Sequence, residues 1–338
     1  MLLKSNIIAL LFSLLAFIAQ SQNTLIPGAA QFSAYLPALK GKQVALVVNH
    51  TSVVGKTHLA DTLLALGVSV KKIFAPEHGF RGTADAGAHI ENEVDKKTGL
   101  TLISLYGKHK KPTSDDLQGI DVVLFDIQDV GARFYTYSST LHYVLEACAE
   151  NKVPLTVLDR PNPNGHYVDG PVLEKAQSSF VGLNPIPVVH GCTLGELARM
   201  INGEGWLANH VKAELNVIPV AHYTHAAPVH VAIAPSPNLP NDQSIALYPS
   251  LCLFEGTNVS IGRGTDLQFQ VVGTNIAGLG DYTFTPVPKP GAMDPPLKDQ
   301  KCYGYNLSNL RARNLGFSLK YLLYFYSKSG LGEKFFTS

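Results

Sequence analysis

Six short apolar runs divide the first two thirds of the chain, with helical periodicity between several of them. The runs are Gln43–Val48, Val70–Phe74, Thr101–Tyr106, Val122–Ile127, Leu155–Leu158 and Ala213–Val217. Most are continuously apolar rather than alternating, the pattern of strands covered on both faces. Helical spacing is read over His58–Leu66, Tyr137–Asn151 and Leu194–Gly203, and Thr193 with Glu196 fits a capping box opening the last of these. Strands alternating with helices predict an α/β fold, a doubly wound and mostly parallel sheet.

That topology gives the strand ends their meaning. After Val48 comes Asn49-His50-Thr51, and after Phe74 comes Ala75-Pro76-Glu77-His78-Gly79-Phe80-Arg81-Gly82. After Ile127 comes Gln128-Asp129-Val130-Gly131-Ala132-Arg133, and after Leu158 comes Asp159-Arg160-Pro161-Asn162-Pro163-Asn164-Gly165. In an open parallel sheet all carboxyl ends lie on one edge, so four polar loops are expected to converge on one crevice. The segment around Glu77 is the most informative, placing an acid, an imidazole and a guanidinium between a proline and glycines.

From about Thr224 prolines and glycines become frequent and helical periodicity fades. Short strands are expected at Leu251–Phe254 and Gln268–Val272, and a helix over Ser318–Tyr326 with Gly330 just beyond it. The run Pro235-Ser236-Pro237-Asn238-Leu239-Pro240-Asn241 reads as an extended connector. A main domain over residues 23–223 and a smaller, β-rich (α+β) domain over 224–338 are therefore expected. Residues 1–22 read as an export signal: Lys4, an apolar stretch from Ile7 to Ala19, and small residues at Ala19 and Ser21. The stretch is too short to favour a membrane anchor, so an exported protein, periplasmic or secreted, with no stable membrane insertion is expected.

Hydrophobic residues make up 46% of the 338-residue chain and charged residues 16%, with a net charge of +1, which argues against a nucleic-acid partner. Cys148, Cys192, Cys252 and Cys302 form no Cys-x-x-Cys pair, so no zinc site is expected. One disulfide is compatible with export, and the sequence does not assign it. Neither Gly-x-Gly-x-x-Gly, a P-loop, Gly-x-Ser-x-Gly nor His-Glu-x-x-His occurs, which argues against nucleotide cofactors, a serine elbow and a zincin. No metal or other cofactor is expected.

What remains is carboxylates and arginines: Glu77, Asp85, Asp126, Asp129, Asp159 and Glu255, with Arg81, Arg133, Arg160 and Arg263. Glycoside hydrolysis generally needs a protonated acid at the leaving oxygen and an anionic group facing the sugar ring. An arginine fork suits a substrate carboxylate. Structural uses compete with these roles. Asp126 can satisfy backbone amides, Asp159-Arg160 can brace its own loop, Glu196 suits a helix cap, and Tyr135 and Tyr137 suit packing as well as a sugar platform.

Together the motifs resemble the bacterial exo-β-N-acetylmuramidases, long described as a domain of unknown function. The segments that carry the resemblance are Pro76–Gly82, Asp126–Tyr137, Asp159–Pro163, Ser236–Pro240 and Glu255–Thr265, in that order. The resemblance implies a Rossmann-like domain with a smaller auxiliary domain and an active site between them. It implies release of N-acetylmuramic acid from the non-reducing ends of peptidoglycan fragments, with muramyl saccharides as the partners. It implies Glu77 as general acid, and leaves the second catalytic group open between Asp126 or Asp129 and the substrate's own N-acetyl group. His78, Arg81, Gln128, Arg133, Tyr135, Asp159, Arg160, Asn238, Glu255, Asn258 and Arg263 are the substrate-binding candidates, with Arg263 or Arg81 for the lactyl carboxylate. Family members usually continue beyond the helix near Tyr321, so a C-terminally short second domain is expected. A non-catalytic binder of wall fragments is the competing expectation. It would use the cleft and arginines without the acid. A deacylase or esterase is disfavoured by the missing nucleophile and metal motifs.

Overall fold

The computed structural model of the protein describes residues 24–77, 79–80 and 93–337. The export-signal segment, His78, Arg81 and Asp85 lie outside the described residues.

Seven strands form the main sheet: β1 Gln43–Val48, β2 Ser69–Ala75, β3 Glu93–Val94, β4 Thr101–Ser104, β5 Val122–Asp126, β6 Leu155–Leu158 and β7 Leu215–Ile218. Their spatial order is β3-β4-β2-β1-β5-β6-β7. All neighbours are parallel except the short edge pair β3 and β4. The order reverses between β1 and β5, the switch point of a doubly wound sheet, where the loops leaving the two strands diverge and open a crevice. The expected α/β architecture is therefore present, with strand boundaries within about two residues of the sequence reading.

The central strand shows why its run is apolar throughout. Val44, Leu46 and Val48 face one core layer with α1 (Phe32–Leu39) and α2 (Leu59–Ala65). Ala45 and Val47 face the other, which holds α4 (Tyr137–Asn151) and α5 (Leu194–Gly203); a one-turn helix α3, Ser114–Leu117, precedes β5. Period-2 alternation thus survives as a choice between two buried faces. Thr193 caps α5, its hydroxyl accepting the Glu196 amide while the Glu196 carboxylate accepts the Thr193 amide, which is the capping box read from the sequence.

The C-terminal part adds helix α6 (Asp242–Leu251), a three-stranded antiparallel sheet of β8 (Val271–Thr274), β9 (Tyr282–Phe284) and β10 (Cys302–Asn306) in the order β8-β10-β9, and helix α7 (Lys320–Ser329). Leu251–Phe254, expected as a strand, is the end of α6 and a 3₁₀ turn over Cys252–Phe254. The decisive signal was a second capping box, Asn241 with Ser244, concealed behind the proline run. α7 begins two residues later than expected and ends at Gly330, whose φ of +68° supplies the left-handed cap. All four cysteines carry free thiols. Among the described residues, no helix is long and apolar enough to cross a membrane.

Candidate active site

A cavity of about 360 Å³ lies at the carboxyl edge of the main sheet. The sheet side contributes Glu77 after β2, Tyr106 after β4, and Phe134, Tyr135 and Thr136 after β5. The connector contributes Ser236, Asn238 and Leu239, and the C-terminal part contributes Tyr248, Glu255, Arg263 and Phe269; Phe180 and Val181 complete the lining. Of the residues expected at the site, the structure therefore brings together Glu77, Tyr135, Asn238, Glu255 and Arg263.

Glu77 owes its place to a tight turn. The Gly79 amide donates to the Pro76 carbonyl at 3.0 Å, and Gly79 has φ +74°, a conformation that costs a side-chain-bearing residue energy. The chain reverses there and leaves Glu77, half-buried, against the loop after β5. Thr136 Oγ1 donates to Glu77 Oε2 at 3.1 Å. The Tyr106 hydroxyl is also hydrogen-bonded to Glu77; burial, then the charge of Glu77, then this bond push its pKa up to about 12. Two neutral hydroxyls thus orient the carboxylate.

Arg263 is presented from a turn flanked by Gly262 (φ +84°) and Gly264 (φ +77°). Its Nη2 is paired with Glu255 Oε1, and its guanidinium lies 5.3 Å from the Phe269 ring centroid, within cation–π range. Nη1 and Nε make no hydrogen bond with described residues, so two donors of the fork are available to a ligand carboxylate. Asn238 is fixed by donating to the Gly291 carbonyl at 2.8 Å. Tyr135 donates to the Pro235 carbonyl at 2.9 Å, which ties the loop after β5 to the connector, and its ring packs edge-on against Tyr137 and Tyr248.

The remaining candidates sit outside this cavity, each held by other bonds. Asp126, 0% exposed, receives Arg160 Nε at 2.5 Å and Nη2 at 2.9 Å; Arg160 Nη2 also donates to the Val53 carbonyl. The internal ion pair considered for Asp159-Arg160 is thus formed by Arg160 with Asp126. Asp159 instead accepts from Thr193 Oγ1 at 2.6 Å, Gly195 N at 2.8 Å and Arg160 N at 3.0 Å, tying β6 to the start of α5. Burial outweighs these donors and raises the Asp159 pKa to about 6. Asp129 accepts the Gly131 amide at 2.6 Å, with His190 Nε2 at 3.7 Å. Gln128 donates to the Asp129 and Pro161 carbonyls, and Arg133 to the Pro171 and Ile186 carbonyls. Asn258 donates to the Lys334 carbonyl at 2.5 Å, pinning the C-terminal segment. A chain of such bonds makes the loop after β5 rigid and shapes the cavity wall without exposing its own acids.

Sequence reasoning missed Tyr106, Phe180, Tyr248 and Phe269. Tyr106 stood at the end of an apolar run, directly after a strand, and was read as part of it. Tyr248 and Phe269 lie within apolar segments whose patterns do not distinguish a cavity wall from a core.

With this geometry in hand, the comparisons decide the family. Residues 44–243 match the family described as exo-β-N-acetylmuramidase NamZ, N-terminal, and residues 246–329 match its C-terminal counterpart. The chain belongs to the exo-β-N-acetylmuramidase family. It is 44% identical over 248 residues to the peptidoglycan β-N-acetylmuramidase NamZ of Bacillus subtilis strain 168, a match covering 71% of this chain and 58% of that protein. The chain thus spans less than two thirds of the curated relative it matches. Two crystal structures of DUF1343 family proteins from Bacteroides fragilis are also similar. One is 48% identical with a TM-score of 0.86, covering 93% of this chain and 86% of that one. The other is 33% identical with a TM-score of 0.72, covering 83% and 76%.

Proposed function

We propose that this member of the muramidase family is an exo-acting glycoside hydrolase that releases N-acetylmuramic acid from the non-reducing ends of peptidoglycan fragments. The observation that carries the reading is one cavity holding a hydroxyl-bound glutamate, Glu77, and a braced arginine, Arg263, with free donors. Muramic acid differs from other wall sugars by a lactyl carboxylate, and an arginine fork is the side chain best matched to a carboxylate. Phe134, Tyr248 and Phe269 provide apolar ring faces for the sugar, and Asn238 and Ser236 provide polar groups for its substituents. Glu77 donates its proton to the glycosidic oxygen as the bond to the anomeric carbon breaks.

In this reading the site lies between the main domain, residues 23–223, and the auxiliary domain, residues 224–338. The first 22 residues act as an export signal, and the enzyme works on wall fragments in the periplasm or outside the cell, as a step in cell-wall recycling. The activity of the Bacillus relative supports the substrate class.

The test is incubation with the disaccharide of N-acetylmuramic acid β-linked to N-acetylglucosamine. Release of both monosaccharides by the wild type, and loss of about 10²- to 10⁴-fold in kcat for Glu77→Gln, is the expected result. Tight binding of the disaccharide with no cleavage would favour a binding protein instead.

A further inference from the structure

The muramidase reading assigns one carboxylate and leaves its anionic partner open. Asp126 and Asp129, the residues expected to supply it, sit outside the cavity. Asp126 is fully buried under Arg160, and Asp129, 5% exposed, is folded onto its own loop through the Gly131 amide. Among the described residues, two carboxylates line the cavity, Glu77 and Glu255. They come from distant parts of the chain: Glu77 from the end of β2, Glu255 from the residue that follows the 3₁₀ turn after α6.

Both have partners among the described residues. Glu77 accepts from the Thr136 hydroxyl, and the Tyr106 hydroxyl stands beside it. Glu255 is held by a guanidinium. An ion pair uses its carboxylate as an anion, and an anion is what the positive charge developing at the anomeric carbon requires. The Glu255 side chain is 42% exposed, so it is open to a ligand rather than sealed in the protein.

We propose that Glu255 is the second catalytic carboxylate, facing the anomeric carbon from the side opposite the leaving oxygen. This rests on the muramidase reading above and replaces a purely substrate-binding role for Glu255. The glycosidic carbon–oxygen bond breaks with its electron pair on the leaving oxygen, which takes the proton of Glu77. A Glu255 oxygen forms the new bond to the anomeric carbon, and water deprotonated by Glu77 then breaks that bond, releasing Glu255 as the carboxylate. Over the cycle one water is consumed: its hydroxyl ends on the anomeric carbon and its other proton restores Glu77. Arg263 keeps Glu255 oriented while its free donors hold the lactyl carboxylate, so one guanidinium aligns substrate and catalyst together.

The experiment uses the full chain and the 4-nitrophenyl β-glycoside of N-acetylmuramic acid, whose leaving group needs little protonation. Glu255→Gln preserves an acceptor for Arg263 and removes only the charge. The expected result is a fall in kcat of about 10²- to 10⁴-fold with KM changed only a few-fold and an unchanged melting temperature. Glu77→Gln is expected to be far less impaired on this substrate than on the disaccharide. In Glu255→Ala, azide is expected to restore turnover and to yield a glycosyl azide of configuration opposite to the substrate. A Glu255→Gln variant with kcat within about tenfold of wild type and a raised KM overturns the assignment, leaving Glu255 as a brace for Arg263. A wild type that cleaves neither substrate overturns the glycosidase reading and this assignment with it.

Discussion

The loop after β5 and the cavity beside it hold carboxylates in opposite circumstances. At the end of β5 Asp126 is enclosed and charge-paired with Arg160, and in the loop that follows Asp129 is turned onto its own backbone. In the cavity, Glu77 and Glu255 are partly accessible, and each keeps surface that a ligand can reach. Acids of one fold thus serve two ends. One set fixes the wall, with a high cost for losing any partner; the other is presented by that wall and is nearly dispensable for folding. Burial of a charge without a counter-charge is expensive, whereas an accessible carboxylate loses little stability when neutralised. Stability and activity should therefore separate cleanly between the two regions.

The largest expected effect lies in the wall. Arg160→Met leaves Asp126 buried without its counter-charge and should lower unfolding free energy by about 3–5 kcal/mol in a urea titration. A loss under about 1 kcal/mol would break the comparison, since Asp126 would then not depend on its partner.

Next is Asp159, whose carboxyl sits above its unfolded value at about 6 because of burial. The folded protein binds more protons here than the unfolded chain between about pH 4 and 6. This contribution to stability is thus fully present below about pH 4 and is lost as pH rises through about 6. Urea midpoints of wild type and Asp159→Asn, compared from pH 4 to 7, should show the wild type's relative stability declining with pH. A difference that grows with pH would mean that the three donors at Asp159 outweigh its burial.

A smaller effect is expected at Thr193, which both caps α5 and donates to Asp159. Thr193→Ala should cost about 1–2 kcal/mol, with kcat per folded molecule unchanged. A specific loss of rate would instead tie the β6–α5 junction to the chemistry.

The parallel sheet was legible because both-face burial writes itself as continuous apolar runs, and the α5 capping box because its two residues lie only three positions apart. The position of Glu77 was legible because a strand end followed by Pro and Gly has few ways to turn. The separation of Glu77 from Asp126 and Asp129 was not, because all three lie at or just beyond the end of the same kind of apolar run. Only their partners, the distant Arg160 for Asp126 and the local Gly131 amide for Asp129, distinguish them. The aromatic wall was hidden for a related reason: Tyr248 and Phe269 pack on the core while still lining the cavity, so their apolar surroundings read as interior. Helix α6 was lost because the prolines before Asn241 outweighed the cap.

The central claim is that the cavity, rather than the loop after β5, holds the acids that act. The most direct measurement is kcat on the disaccharide for Glu77→Gln and Asp129→Asn side by side, with melting temperatures for both. Predicted is a fall of about 10²- to 10⁴-fold for Glu77→Gln at unchanged melting temperature, and a rate within about tenfold of wild type, per folded molecule, for Asp129→Asn. An Asp129→Asn variant that is fully folded and as inactive as Glu77→Gln would contradict it.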